Sequence, residues 1–111
     1  MIARMWIGVV ARADRDAYVA YVEETGVGEY RRSRGCTLAT ILTRDLDGSR
    51  TEVTAFSLWE SVADIQAFAG DDISAMVMYP EDVRYLIGDS ELRHYEVASL
   101  PDGSRHSGGL P

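Results

Sequence analysis

Residues 2–10, IARMWIGVV, are apolar at both odd and even positions apart from Arg4. This pattern is typical of a strand that is buried on both faces. The segments CTLATILTR and RTEVTAFSLW are rich in β-branched residues, and they flank DLDGS, where Asp47 and Gly48 favour a hairpin turn. A last strand is predicted in ELRHYEVAS, so the pattern indicates four strands in all.

Helical periodicity is found between the first and second predicted strands and between the third and fourth. RDAYVAYVEET follows Asp14, a candidate N-cap, and is expected to end at Gly26. In SVADIQAFAG, Ser61 and Asp64 form a weak capping box before an apolar stripe that includes Phe68. Shorter helical turns are predicted in VGEYRRS, ISAMVMY and EDVRYLI.

The order β-α-β-β-α-β predicts an α+β fold, a ferredoxin-like sheet with both helices on one face. The domain is expected to span residues 1–99, followed by a Gly/Ser-rich C-terminal tail over residues 100–111. The length of 111 residues is enough for a single domain with one core.

The second face of such a sheet is left uncovered. It is expected to carry large side chains, which would expose too much apolar surface in a monomer. Two sheets packed face to face would bury it, so a homodimer in the form of a dimeric α+β barrel is predicted. The candidates for this face are Trp6 with Arg4 on the first strand and, depending on register, Phe56 with Leu58 or Trp59 with Ala55 on the third.

Composition excludes several functions. The net charge of −7 argues against nucleic-acid binding, and no apolar run is long enough to span a membrane. All eleven basic residues are Arg, so Schiff-base catalysis by lysine is excluded. The single Cys36 cannot form an internal disulfide, and it has no adjacent His that would mark an activated thiolate. A cytoplasmic location is therefore expected.

Several segments together resemble the stand-alone members of the antibiotic biosynthesis monooxygenase-like superfamily, the dimeric α+β barrels. The matching segments, which extend to residue 98, are MWIG, YVAYVEETGVGEY, LWES with IQAFAGDD, YPEDVRYL and HYEV. The resemblance implies the fold. It does not choose among the superfamily's activities, which include cofactor-independent oxygenases of aromatic polyketides, haem-degrading enzymes, and small isomerases and cyclases.

Haem degradation is not supported by the residues that it would require. Trp59, Glu60 and Ser61 resemble the Trp-x-Ser motif of the haem-degrading members. Those members also need a His on the second helix and an Asn on the first strand, whereas this chain has ISAMVMY in the helical region and no Asn at all. Neither a cofactor nor a metal is therefore expected.

His94 is the candidate catalytic residue. It shares a strand face with Glu96, with Cα atoms roughly 6–7 Å apart, so the carboxylate could hold it as a general base. The alternative, narrowly favoured, is a strand histidine that only makes a structural hydrogen bond. A metal site is not expected because one histidine lacks convergent ligands, and His106 lies in the tail.

Arg4 is unusual on an otherwise apolar strand. A buried Arg needs an anionic partner, so it either pairs with a carboxylate or binds an acidic ligand. Glu52 and Glu96, on neighbouring strands, are the candidate partners, and an internal pair is favoured. The acidic pairs Asp71-Asp72 and Glu81-Asp82 are interpreted as helix caps rather than as a cation site.

Two functions remain open. One is a cofactor-independent monooxygenase, or a related cyclase or isomerase, acting on a small aromatic or polyketide-like substrate, with His94 as proton shuttle. The other is a non-catalytic homodimeric small-ligand-binding or scaffold protein, in which the aromatic residues are simply core. In the enzyme, a pocket between sheet and helices would bind a hydrophobic or aromatic ligand, and its predicted walls are Arg4, Trp6, Trp59, Phe68 and Tyr85.

Overall fold

A computed structural model describes residues 1–100, and its elements follow the predicted order. The tail beyond residue 100, with His106, lies outside the described residues. A 3₁₀ turn, Arg12–Asp14, connects the first strand to the first helix. The strands are β1 (Ile2–Ala11), β2 (Cys36–Asp45), β3 (Arg50–Trp59) and β4 (Glu91–Glu96); the helices are α1 (Arg15–Glu24), α2 (Gly26–Arg32), α3 (Val62–Ala69) and α4 (Asp82–Tyr85).

The strands form one antiparallel sheet in the order β2-β3-β1-β4, which is the ferredoxin-like arrangement predicted from the sequence. The hairpin between β2 and β3 is held by the Asp47 carboxylate, whose Oδ1 accepts hydrogen bonds from the backbone N–H groups of Ser49 and Arg50. Among residues 1–100, no helix is long and apolar enough to cross a membrane.

The first helical segment ends as expected before Gly26, since α1 stops at Glu24 and its C-cap Thr25 (φ −95°, ψ −90°) directly precedes the glycine, where α2 begins. One prediction about the helices is wrong. The segment ISAMVMY forms no helix. Its polar groups bond to side chains instead: Asp72 accepts from the N–H of Ser74, and Asp82 accepts from the N–H of Tyr79. These bonds replace the backbone pairs that a helix would need.

For the uncovered sheet face, the prediction was wrong for β1, and of the two alternatives left open for β3 the structure has Phe56 with Leu58. Arg4 and Trp6 face the helices, and so do Ala55 and Trp59. Because directly opposed residues of an antiparallel pair share a face, the odd positions of β1 and the even positions of β3 lie on the open face. Its large side chains are Met5, Ile7, Val9, Phe56, Leu58, Leu38, Leu42 and Tyr95.

Candidate functional site

Arg4 is buried, with only 1% of its surface exposed, and it links three elements to β1. Its Nε donates to the hydroxyl oxygen of Tyr30 on α2 at 3.2 Å. Its Nη1 donates to the carbonyl oxygen of Ile73, which follows α3, at 3.1 Å, and lies 2.9 Å from Nε2 of His94 on β4. The guanidinium carbon also lies 5.7 Å from the ring centroid of Phe68, a cation–π distance.

The carboxylate partner predicted for Arg4 is not found. No carboxylate of residues 1–100 lies within 4.0 Å of the Arg4 guanidinium. Glu52 instead pairs with Arg44 on the open face, since its position opposite Val9 turns it away from the helices. Glu96 is exposed and lies opposite Ile2 rather than Arg4. In the described part of the chain, the buried positive charge is therefore held only by neutral hydrogen-bond partners and aromatic rings.

His94 lies directly opposite Arg4 in the register of β1 and β4. A guanidinium has no acceptor atom, so Nε2 of His94 must be the acceptor of this hydrogen bond. The ring is thus neutral in this arrangement and carries its proton on Nδ1. Burial, followed by the charge of Arg4, holds the pKa of His94 below its ordinary value of 6.5, which is consistent with the neutral form.

The predicted orientation of His94 by Glu96 is not observed, because the two side chains make no hydrogen bond within residues 1–100. Tyr95, the next residue, points to the opposite sheet face and is 47% exposed, so it does not contribute to the surroundings of His94. What holds His94 is Arg4, a partner that lies 90 residues away along the chain.

A cavity of about 30 Å³ lies between the sheet and the helices. It has room for one or two water molecules and not for an aromatic ring, since a single water needs roughly 10–15 Å³ by this kind of measure. The indole Nε1 of Trp6 is buried and has no hydrogen-bond partner among residues 1–100. The lining residues are Trp6, Tyr18, Val22, Thr25, Gly26, Tyr30, Ala55, Phe68, Val77, Tyr79 and Asp82.

The five predicted wall residues divide into two groups. Trp6 and Phe68 line the cavity, whereas the other three lie behind its lining. Trp59 lies behind them, fully buried against Phe68 with ring centroids 6.0 Å apart, and its Nε1 donates to Ser57. Tyr85 also lies one layer back, against Tyr18. Arg4 lies behind the lining, in contact with Tyr30 and Phe68.

Several polar residues of this cavity were missed at the level of sequence. Asp82 is buried and accepts hydrogen bonds from the Tyr18 hydroxyl at 2.9 Å and from the Tyr79 N–H. Burial, and then the nearby Asp82 charge, raises the pKa of Tyr18 well above its usual value, so Tyr18 remains a donor. The Tyr79 hydroxyl bonds to Glu29. Tyr30 could have been found from sequence, because Val27 and Tyr30 share one helical face.

Other candidate chemistry is not supported by the described part of the chain. Burial raises the pKa of the Cys36 thiol, whose S–H contacts the carbonyl of Leu38 at 3.4 Å, so the thiolate is disfavoured. Within residues 1–100, no group of three or more His, Cys, Asp or Glu side chains could hold a metal ion.

The sheet order and the helices on one face place the chain in the ferredoxin-like α+β class, and solved structures extend this comparison. A Bacillus cereus protein provisionally named an antibiotic biosynthesis monooxygenase superimposes with a TM-score of 0.64 at 17% identity, covering 89% of this chain and 94% of that one. A Nitrosomonas europaea protein with the same provisional name has a TM-score of 0.62 at 12% identity, covering 89% and 100%.

A third protein with that provisional name, from Deinococcus radiodurans, has a TM-score of 0.59 at 14% identity, covering 90% of this chain and 95% of that one. At these identities the similarity establishes the fold, and it confirms the structural resemblance inferred from the sequence segments. No family model matches the chain, and no curated relative does.

Proposed function

We propose that the protein is a cofactor-independent monooxygenase, or a related cyclase or isomerase, that acts on a small aromatic or polyketide-like substrate. The observation that supports this most is the buried Arg4 guanidinium, which has no carboxylate partner in residues 1–100 and bonds to a neutral His94. Such a pair can accept a proton from an acidic substrate and stabilise the resulting anion.

In the proposed reaction, His94 accepts the proton of the substrate, and Arg4 stabilises the negative charge that remains on the substrate oxygen. A substrate hydroxyl that displaces Arg4 from Nε2 of His94 would donate its proton to that nitrogen, and its oxygen would keep the Arg4 bond. The anion formed is electron-rich and reacts with dioxygen itself: a CH₂ group becomes a carbonyl, one oxygen atom enters the product, and the other leaves as water. The CH₂ group of the substrate supplies the four electrons that reduce dioxygen, and its two hydrogen atoms end in the water.

Substrate binding requires the cavity to widen. Its wall includes Val77 and Tyr79, which lie in the segment between α3 and α4 that contains neither helix nor strand. Phe68 and Tyr30 already line the cavity and contact Arg4, so displacing Val77 and Tyr79 would extend the cavity beside them toward Arg4.

The test is oxygen uptake with a panel of polyphenols whose ring system contains the CH₂ group that this reaction oxidises. Loss of a general base should lower the rate by about a hundredfold in His94→Ala. His106→Ala is the matched control, since it removes the other histidine, and it should keep the wild-type rate. Equal rates for His94→Ala and wild type would remove His94 from the mechanism.

One observation favours the alternative, a non-catalytic homodimer that binds a small ligand or acts as a scaffold. Side chains fill most of the space between the sheet and the helices, and the cavity that remains, about 30 Å³, is too small for an aromatic substrate. If no phenol in the panel supports oxygen uptake, and if widening the cavity by Phe68→Ala does not create uptake, this alternative replaces the enzyme.

Both proposals include a homodimer formed by the open face of the sheet. Leu38, Leu42 and Tyr95 on that face are each 47–49% exposed, and Phe56 lies at its centre. Apolar side chains grouped in this way on one face are typical of an interface. The lone Cys36 supports a cytoplasmic location, since it has no internal disulfide partner.

A further inference from the structure

Arg4 uses only part of its hydrogen-bonding capacity. A guanidinium carries five N–H donors. Nε bonds to Tyr30, and Nη1 bonds to Ile73 and His94, which accounts for three of them. Within residues 1–100, Nη2 makes no hydrogen bond, but it is not among the fully buried atoms that lack a partner, of which Trp6 Nε1 is the one. A purely structural role, in which Arg4 links β1 to its neighbours, accounts for the hydrogen bonds of Nε and Nη1. It does not account for the two N–H groups of Nη2 or for a buried charge without a carboxylate partner.

Tyr30 does not supply the missing negative charge. Burial raises its pKa and outweighs the opposite effect of Arg4, so the side chain stays a neutral phenol. Its oxygen accepts the hydrogen bond from Arg4, and its own hydrogen has no acceptor among residues 1–100. Tyr30 therefore offers a second donor beside the guanidinium, and it lines the cavity.

Among residues 1–100, Nε1 of Trp6 is the one fully buried side-chain nitrogen or oxygen that has no hydrogen-bond partner. Trp6 occupies the same face of β1 as Arg4, two residues away, and strand geometry separates their Cα atoms by roughly 6–7 Å. Its side chain lines the cavity, is 7% exposed, and has no partner for Nε1 in the described part of the chain. Buried donors are nearly always paired in folded proteins, so the unpaired Trp6 Nε1 in the cavity wall, on the same face of β1 as the uncompensated charge of Arg4, indicates a ligand that accepts hydrogen bonds.

We infer that this site binds a small aromatic carboxylate. The carboxylate would accept from Nη2 of Arg4 and from the Tyr30 hydroxyl, and it would neutralise the buried charge. The ring would pack against Phe68 and Trp6, with an oxygen substituent accepting from Trp6 Nε1. This inference rests on the proposed function in that it uses the same pocket, and it adds that the substrate carries a carboxylate group.

Benzoate and benzamide are the probes, because they have the same ring and nearly the same shape but differ in charge. Binding is measured by calorimetry on the full chain at pH 7.5. Benzoate is expected to bind at least tenfold more tightly than benzamide, and 4-hydroxybenzoate more tightly than benzoate. Arg4→Met should lose at least tenfold in benzoate affinity, whereas Arg84→Met, which removes an exposed arginine on α4, should keep the wild-type affinity.

Tyr30→Phe provides a second variant that leaves Arg4 in place, in case Arg4→Met does not fold. It removes one proposed carboxylate donor and is expected to weaken benzoate severalfold while leaving benzamide unchanged. Equal affinities for benzoate and benzamide in the wild type would overturn the inference, and so would wild-type benzoate affinity in a folded Arg4→Met or Tyr30→Phe variant.

Failure of this inference can be separated from failure of the proposed function. Benzoate binding does not depend on turnover, so charge-selective binding without oxygen uptake on any phenol would keep the anion site and reject the oxygenase. Oxygen uptake on neutral phenols, together with equal binding of benzoate and benzamide, would keep the oxygenase and reject the carboxylate site.

Discussion

The Nη1 atom of Arg4 lies 2.9 Å from Nε2 of His94, across the β1–β4 pair of the sheet. Protonating His94 would place two cations at this distance in a partly buried site. The histidine is therefore kept neutral by its burial and by Arg4, and the arginine depends on the histidine as one of its three hydrogen-bond acceptors.

We expect His94 to make the folded protein less stable as pH falls. Its pKa in the folded state is below 6.5, so between the folded and unfolded values the unfolded chain binds more protons. The free energy of unfolding contributed by this residue is present above about pH 6.5 and is lost as pH decreases toward the folded pKa. Urea titrations at pH 7.5 and 5.5 should show a smaller loss in His94→Gln than in wild type. An identical loss would contradict the assignment.

We expect Ser57→Ala to destabilise the fold. The Ser57 hydroxyl accepts the hydrogen bond of the fully buried Trp59 indole at 2.8 Å, and its removal leaves that N–H without a partner. The cost should be about 1–3 kcal/mol of unfolding free energy, the usual penalty for an unsatisfied buried donor. Ser99→Ala, at an exposed position, is the control and should change stability by less than about 0.5 kcal/mol. Equal effects of the two would refute the role of this bond.

We expect Tyr18→Phe to cost about 1.5–3 kcal/mol of unfolding free energy, since its hydroxyl donates to the buried Asp82 carboxylate. Tyr85→Phe is the matched control. Its ring packs on Tyr18 with centroids 5.2 Å apart, but its hydroxyl makes no hydrogen bond within residues 1–100. Thermal or chemical unfolding should separate the two variants clearly, and a loss of similar size in both would show that ring packing rather than the hydrogen bond matters.

We expect the wild-type chain to sediment at micromolar concentration with twice the monomer mass of 12.3 kDa. Phe56→Glu places a charge at the centre of the open face and should shift the population to monomer, because the charge would lose its hydration in the interface. Val83→Glu is the control, since Val83 is 83% exposed on α4. A monomeric wild type would refute the homodimer, and a dimeric Phe56→Glu would refute this face as its interface.

Local signals in the sequence were reliable where neighbouring residues determine the structure. The capping box was predicted from spacing alone, and the Ser61 side chain does accept from the N–H of Asp64 at the start of α3. The hairpin at Asp47 was predicted for a similar reason. The end of α1 before Gly26 was also predicted from local residues, although the residue that takes the non-helical backbone angles is Thr25.

The parity of β1 could not be predicted from its residues. The strand is apolar on both faces, so its pattern does not indicate which side chains meet the helices. Only the packing of the helices turned Arg4 and Trp6 inward and left Met5 and Ile7 on the open face. A shift of one residue would have exchanged the two sets.

The sequence by itself determined the order of the elements, the single sheet and the presence of a lone arginine on an apolar strand, but it wrongly favoured a carboxylate partner for that arginine. The tertiary structure decided that Arg4 meets Ile73 and His94, which lie 69 and 90 residues away along the chain. The physical reason is that hydrophobic periodicity reports the burial of each position. The identity of its neighbour depends instead on which strands pair and in which register, and this is settled only when the whole sheet forms.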